Sequence, residues 1–312
     1  YVDLIARGRV ALAAGATARV PTRPDELAAI LFTSGSTGEP KGVEYLHRHF
    51  AAQVALIRAA FDITPGEIDV PTFPPFALFD PALGMTSVLP EMDYTRPASA
   101  DPAKLVQAIT QFGATSMFGS PALVEVLARH GAATGTTLPT LRRVLSAGAP
   151  VRPEIAAAMR QLLPEQATLW TPYGATECLP VAVIEGRELQ ATRTATEAGA
   201  GTCVGRPVAG NVVRIIRIDD AAIAAWADDL SLAPGQVGEI TVAGPTATDA
   251  YFGRPEATRL AKIVETVPDG STRIVHRMGD VGYFDAEGRL WFCGRKAHRV
   301  EARGGVLFTE QV

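Results

Sequence analysis

From Asp101 to Gly174 the chain alternates short apolar runs with segments of helical period, and this alternation restricts the fold more than any other feature. "DPAKLVQAITQF" opens with Asp101 as an N-cap and Pro102 in the first turn, the start signal of a helix. "ATSMFGS" reads as a short strand, and "PALVEVLARHG" as a helix expected to stop at Gly131. "LRRVLSAGAP" is a strand reaching a turn, "PEIAAAMRQLLP" a helix bounded by prolines, and "ATLWTPYG" a further strand into a turn. Strands alternating with helices imply an α/β fold: a largely parallel sheet with helices on both faces. In such sheets ligands collect at the carboxyl ends of the strands. The loops after "AILF", "RVLS" and "ATLW" are therefore expected to share one edge.

The first of those loops is "TSGSTGEPKG", Thr33 to Gly42. Ala28 to Phe32 before it read as a short buried strand. After it, "HRHFAAQVALIRAAF" places Phe50, Val54, Ile57 and Phe61 at helical spacing. Strand, glycine loop and helix in that order deliver backbone N–H groups to a phosphate. Gly35, Gly38 and Gly42 let backbone approach a ligand; Ser34, Ser36 and Thr37 offer hydroxyls; Lys41 offers a cation. The segment is not a Walker A loop, because Lys41 follows Pro40 and precedes Gly42. The plain alternative is a solvated surface loop.

Near Gly205 the texture changes. "NVVRIIRI", "GEITVAG", "TRIVHR", "VGYFDAEG" and "RLWFCG" are strand-like, and Asp285-Ala286-Glu287-Gly288 reads as a tight hairpin turn. A small antiparallel β-barrel is expected to follow the α/β part. The resulting division is residues 1–204 for the α/β part, 205–294 for the barrel-like unit, and 295–312 for a hinge and the beginning of another domain.

Of 312 residues 47% are hydrophobic, enough for a sizeable core in one large or two moderate domains. A net charge of -4 without basic blocks argues against nucleic acid as a partner. Three cysteines, Cys178, Cys203 and Cys293, lie far apart with no C-x-x-C pair. That spacing argues against a zinc site or a disulfide framework and suits the reducing cytoplasm. No run is long and apolar enough for a membrane span, and "YVDLIARGRV" does not have the form of a signal peptide.

Four ordered segments carry a family resemblance. "TSGSTGEPKG" resembles the phosphate loop of the adenylate-forming superfamily of acyl-CoA synthetases, luciferases and peptide-synthetase adenylation domains. "TPYGATE" (Thr171 to Glu177) resembles their Y-G-x-T-E segment. "MGDVGYFDAEGRLWFCGRK" (Met278 to Lys296) resembles their long G-D block, and "RGG" (Arg303 to Gly305) the glycine pair past the hinge. The resemblance implies an enzyme using ATP and Mg²⁺ to join a carboxylate to the α-phosphate, with release of pyrophosphate. It implies that Thr33, Ser34, Gly35, Ser36, Thr37, Gly38 and Lys41 hold the β- and γ-phosphates. Gly148, Ala149 and Pro150 would line the adenine, with Tyr173 stacked on it beside Gly174. Thr176 would touch the α-phosphate and Glu177 would ligate Mg²⁺. Asp280 would accept from the ribose hydroxyls, and Arg295 would contact ribose or phosphate. Lys41, Thr176 and Glu177 are thus the implied catalytic residues. The plain alternatives are a core tyrosine at Tyr173 and a surface pair of Asp280 with Arg295.

Several positions depart from the family pattern. Ala77 in "FPPFALFDPALG" stands where many members have a histidine beside the carboxylate, so the acyl site is expected to differ. Phe76, Ala77 and Phe79 are its candidate lining, although each aromatic could equally fill core. His47 and His49 are expected to cap or pack, and Ala297 occupies the usually polar hinge. Family members are longer at both ends; the small C-terminal domain with its second catalytic lysine is almost wholly absent here, so weak activity is expected of this stretch alone. Between the motifs, residues 44–102 resemble the olefin β-lactone synthetases within the superfamily. That implies activation of a long-chain β-hydroxy acid and attack by its own hydroxyl, with other enzymes of one lipid pathway as partners. Two other readings stay open: an acyl-CoA ligase, and a nucleotide-binding scaffold without turnover.

Overall fold

The computed structural model describes residues 2–15, 21–33 and 39–312. Helix α1 (Val2–Ala13) is exposed along its whole length. β1 (Leu27–Phe32) and β2 (Gly42–Leu46) form a separate two-stranded antiparallel ribbon in which Phe32 faces Gly42. α2 (His47–Ala60) follows directly. β3 (Ile68–Pro71), the short helices α3 (Pro74–Ala77) and α4 (Asp80–Leu83), and β4 (Thr86–Ser87) come next.

The predicted alternation then appears as α5 (Pro102–Phe112), β5 (Ser116–Gly119), α6 (Pro121–Thr134), β6 (Arg143–Ser146), α7 (Pro153–Arg160) and β7 (Thr168–Ala175). The strands β4, β3, β5, β6 and β7 are neighbours in that order, all parallel. Asp101 caps α5 by accepting from the amide of Ala103 at 2.9 Å, and Gly113 ends it in the left-handed region.

Register explains how the sheet gains helices on both faces. Val70, Met117, Val144 and Leu169 lie side by side across β3, β5, β6 and β7. They are buried in one cluster with Leu105 and Ile109 of α5, Leu123 and Leu127 of α6, and Met159 of α7. Residues one step along point to the opposite face. There Leu145 and Trp170 pack with Ile57 of α2, Phe61 and Leu83 of α4 in a second cluster.

β8 (Cys178–Glu185) turns back antiparallel on β7, and α8 (Gly186–Ala191) leads to β9 (Thr202–Pro207). β10 (Val212–Ile216), β11 (Gly238–Ala243), β12 (Lys262–Thr266), β13 (Thr272–Phe284) and β14 (Leu290–Arg295) complete the antiparallel part. Its order is β10–β11–β13–β14–β9, with β12 beside β13, and β9 pairs with β8. The antiparallel strands expected after the α/β part are continuous with its parallel strands in one 12-stranded sheet, and position 205 falls inside β9. Gly205 sits at φ +82° and a Cβ there would lie 1.9 Å from the carbonyl oxygen of Val183, so β8 and β9 meet this closely only over glycine. The turn at Asp285 to Gly288 joins β13 to β14 as read from the sequence. β15 (Val300–Ala302) and β16 (Gly305–Leu307) form a small hairpin of their own.

Four local expectations are corrected. The strand before the glycine loop is not buried: Phe32 is 68% exposed, because β1 belongs to the ribbon and not to the large sheet. For the same reason the loop joins two antiparallel strands and does not open a helix; α2 starts only after β2. α6 continues through Gly131 to Thr134, and Gly135 ends it. Gly131 is a contact residue, since a Cβ there would meet Leu162 at 2.5 Å. "TRIVHR" and "VGYFDAEG" are parts of one long strand, β13.

Candidate active site

The carboxyl ends of β6 and β7 border a cleft of about 180 Å³. One wall is the turn after β6, with Gly148, Ala149 and Pro150; Gly148 takes φ +97°, which suits glycine. Thr171, Pro172, Tyr173 and Gly174 of β7 form the floor. Gly174 is there for closeness, since a Cβ would lie 2.7 Å from the carbonyl oxygen of Cys178. The opposite wall comes from Asp280 of β13 with Phe292 and Arg295 of β14. Seven residues singled out in the sequence thus meet around one cleft.

Asp280 and Arg295 are cross-strand partners in the β13–β14 register. Arg295 Nη1 lies 2.9 Å from Asp280 Oδ1, and Tyr173 donates its hydroxyl to Oδ2 at 2.7 Å. Asp280 is 3% exposed, and burial pushes its carboxyl up to about 6 against the pull of Arg295. Burial likewise raises the Tyr173 hydroxyl well above its usual range, so it stays a donor. The Arg295 contact is off the N–H axis: Asp280 Oδ1 accepts no hydrogen bond among the described residues. Oδ1 thus keeps the ion-pair contact with Arg295 without an aligned hydrogen bond, and the carboxylate stands in the cleft wall.

The second constellation lies past the end of β7. Glu177 is buried, and its Oε1 accepts from the Tyr251 hydroxyl at 2.5 Å. Its backbone carbonyl accepts from both the amide and the hydroxyl of Thr248, at 2.9 and 3.0 Å. The backbone carbonyl of Thr176 accepts from Tyr45 of β2 at 2.5 Å. The β1–β2 ribbon is also tied here through its backbone, with Phe252 N donating to Gly42 O at 2.8 Å and Glu44 N to Ala250 O at 3.1 Å. Lys41 Nζ thereby stands 4.9 Å from the centre of the Tyr251 ring. Thr33 closes the base of the glycine loop: its amide donates to Lys41 O, and its hydroxyl accepts from Lys41 N. Ser34, Gly35, Ser36, Thr37 and Gly38 lie outside the described residues.

Phe76 and Phe79 line a separate cavity of about 30 Å³ beneath α2, where Phe76 stacks on Phe118 at 4.0 Å. Ala77 does not line it. Asp69 and Asp80 reach into the same cavity. Burial, with Asp80 nearby, raises Asp69 to about 7, and its Oδ1 has no partner among the described residues. His49 of α2 is buried and its Nδ1 accepts from Leu46 N at 3.0 Å, a capping and packing role as expected.

Sequence reading missed several contributors. Leu189, Thr202, Cys203 and Val204 complete the cleft, brought in by β9 and α8 with no local pattern to mark them. Tyr45, Thr248, Tyr251 and Lys262 surround Glu177 from three different segments, with His276 opposite Lys262 on β13.

The description "AMP-binding enzyme" matches residues 5–252. The chain is 67% identical over 291 residues to an olefin beta-lactone synthetase of Stenotrophomonas maltophilia. It is 68% identical over 291 residues to an olefin beta-lactone synthetase of Xanthomonas campestris. Each comparison covers 93% of this chain and 52% of the relative, so the chain spans about half the length of the curated relatives it matches. Among solved structures, the amide bond synthetase McbA from Marinactinospora thermotolerans is similar with a TM-score of 0.72 at 27% identity, over 93% of this chain and 53% of that one.

Proposed function

Because the chain belongs to the AMP-binding enzyme family, we propose that it is the nucleotide-binding part of an ATP-dependent ligase that converts a long-chain β-hydroxy acid to a β-lactone. The observation carrying the reaction type is the 67–68% identity to two olefin beta-lactone synthetases over nearly the whole chain. The geometry supports the nucleotide half of the reading. A purine fits the cleft between the Gly148 turn and Tyr173, with the ribose hydroxyls against the Asp280 carboxylate that Arg295 flanks. The triphosphate then runs past Thr176 toward Lys41 and Glu177.

In the first step a carboxylate oxygen of the substrate attacks the α-phosphorus and pyrophosphate leaves. The chain contributes positioning: Arg295 and Asp280 hold the nucleoside, and Lys41 with the glycine loop meets the phosphate charge. In the second step the substrate's β-hydroxyl oxygen attacks the activated carbonyl; the anhydride bond breaks, AMP leaves and the hydroxyl proton is released. Attack within one molecule gains from proximity and needs no thiol acceptor.

The donor set suits Mg²⁺. Glu177 Oε1 is occupied by Tyr251, while Oε2 accepts no hydrogen bond among the described residues. No group of three or more His, Cys, Asp or Glu that could hold a metal ion occurs among the described residues. One carboxylate, completed by phosphate and water oxygens, is the usual way such sites bind Mg²⁺. When bound, the ion neutralises charge on the phosphate oxygens. The Phe76–Phe79 cavity is the proposed contact for the acyl chain. No described helix is long and apolar enough to cross a membrane.

The test is incubation of the full-length protein with Mg-ATP and a long-chain β-hydroxy acid, without coenzyme A. β-Lactone with equimolar AMP and pyrophosphate is expected. A strict requirement for coenzyme A, with thioester as product, overturns the reading.

A further inference from the structure

Lys262 is a buried cation without a carboxylate partner among the described residues. It is 6% exposed, and its Nζ donates to the carbonyl and the hydroxyl of Thr248, at 2.5 and 3.3 Å. The nearest acid in sequence to that contact, Asp249, is engaged by Arg48. On β13, His276 stands opposite Lys262 in the strand register. Burial holds His276 well below its usual range, so it stays neutral and supplies no counter-charge. A buried ammonium paired only with neutral oxygens is expensive, which asks what its charge serves.

Its contacts lead to Glu177 by two routes. The Thr248 hydroxyl that accepts from Lys262 also donates to the carbonyl of Glu177, and the Thr248 amide donates to the same oxygen. Tyr251, which donates to the Glu177 carboxylate, has its ring centre 5.9 Å from Lys262 Nζ and 4.9 Å from Lys41 Nζ. Two ammonium groups thus flank one aromatic ring, and the hydroxyl of that ring holds Glu177.

We propose that Lys262 is a positioning residue for the polyphosphate end of the site: it fixes Glu177 through Thr248 and Tyr251, and with Lys41 it supplies the positive field that a polyphosphate anion requires. The ligand class is an inorganic or nucleoside polyphosphate, bound by charge and not by base. The inference rests on the reading of Lys41 and Glu177 as the phosphate end.

The experiment compares full-length wild type with Lys262→Met, Lys262→Arg and Thr248→Val in ATP–pyrophosphate exchange driven by a long-chain β-hydroxy acid, with thermal melts alongside. Loss of one charge-assisted anchor is expected to raise the KM for Mg-ATP and for pyrophosphate about ten-fold in Lys262→Met. The KM for the acid stays near that of wild type, and Lys262→Arg recovers most of the loss. If Lys262→Met does not melt cooperatively, Thr248→Val carries the same expectation. Unchanged KM for Mg-ATP in the folded variant, or an equal rise for ATP and acid, overturns the proposal. A wild type without exchange sinks the functional reading instead. Calorimetry with magnesium pyrophosphate then decides the role of Lys262 alone: weaker binding in the variant supports it, and equal affinity overturns it.

Discussion

Tyr173 of β7 donates to Asp280 of β13 at 2.7 Å, across 107 positions of sequence and four intervening steps of strand pairing. The bond fixes the tyrosine ring at the floor of the cleft and orients the carboxylate so that its other oxygen faces Arg295.

Tyr173→Phe keeps the ring and removes only this donor. Nucleotide affinity is expected to fall by about five- to ten-fold, the scale of one hydrogen bond to a charged group. Asp280→Asn is expected to cost more, because it removes the charge held by Arg295 and turns one of the two acceptor oxygens into an amide donor. Titration with an ATP analogue, checked against thermal melts, measures both.

Gly205→Ala tests the seam between β8 and β9. The added Cβ would be driven into the Val183 carbonyl from a left-handed backbone. A loss of roughly 4 kcal/mol or more, or no soluble protein, is expected. Wild-type stability in chemical denaturation would contradict the close approach.

Much of this was legible beforehand, for identifiable reasons. The helices and strands from Asp101 to Ala175 carry their own caps and periods, so local chemistry was enough. Gly148 to Pro150, Tyr173, Asp280 and Arg295 sit in long recognisable segments and do converge. β1 misled because its apolar composition does not reveal that its partner is β2 alone. Gly131 misled because a glycine that stops a helix and one that admits Leu162 look alike in sequence. Lys262, Thr248 and Tyr251 were illegible because their meaning lies in contacts with Glu177 across more than 70 positions and in the pairing of β12 with β13, which no local pattern encodes.

Glu265 is a stability switch at acid pH. Hydrogen bonds from Arg214 hold its carboxyl down to about 2 from 4.5, against burial and with help from Arg273. A depressed carboxylate stabilises the fold above its unfolded pKa, and the gain is lost as pH falls from about 4.5 through 2. Glu265→Gln is expected to cost roughly 2–3 kcal/mol at neutral pH and almost nothing at pH near 2, read from urea melts across that range.

Asp69 works in the other direction. Burial lifts its carboxyl from 3.8 to about 7, so the folded state holds a proton that the unfolded chain has released over that interval. Stability therefore declines as pH rises between those values. Asp69→Asn is expected to stabilise the protein by about 1–3 kcal/mol at pH 8, with the gap closing toward pH 4. Parallel melting curves at both pH values would contradict this.

The account depends above all on a single nucleotide spanning both constellations. The most direct measurement is a crystal structure of the full-length protein with a non-hydrolysable ATP analogue and Mg²⁺. The account predicts the ribose hydroxyls within hydrogen-bond distance of Asp280 Oδ1, the purine against Tyr173, and the terminal phosphates beside Lys41 and Glu177. A nucleotide seated elsewhere, or one whose phosphates point away from Lys41, would contradict it.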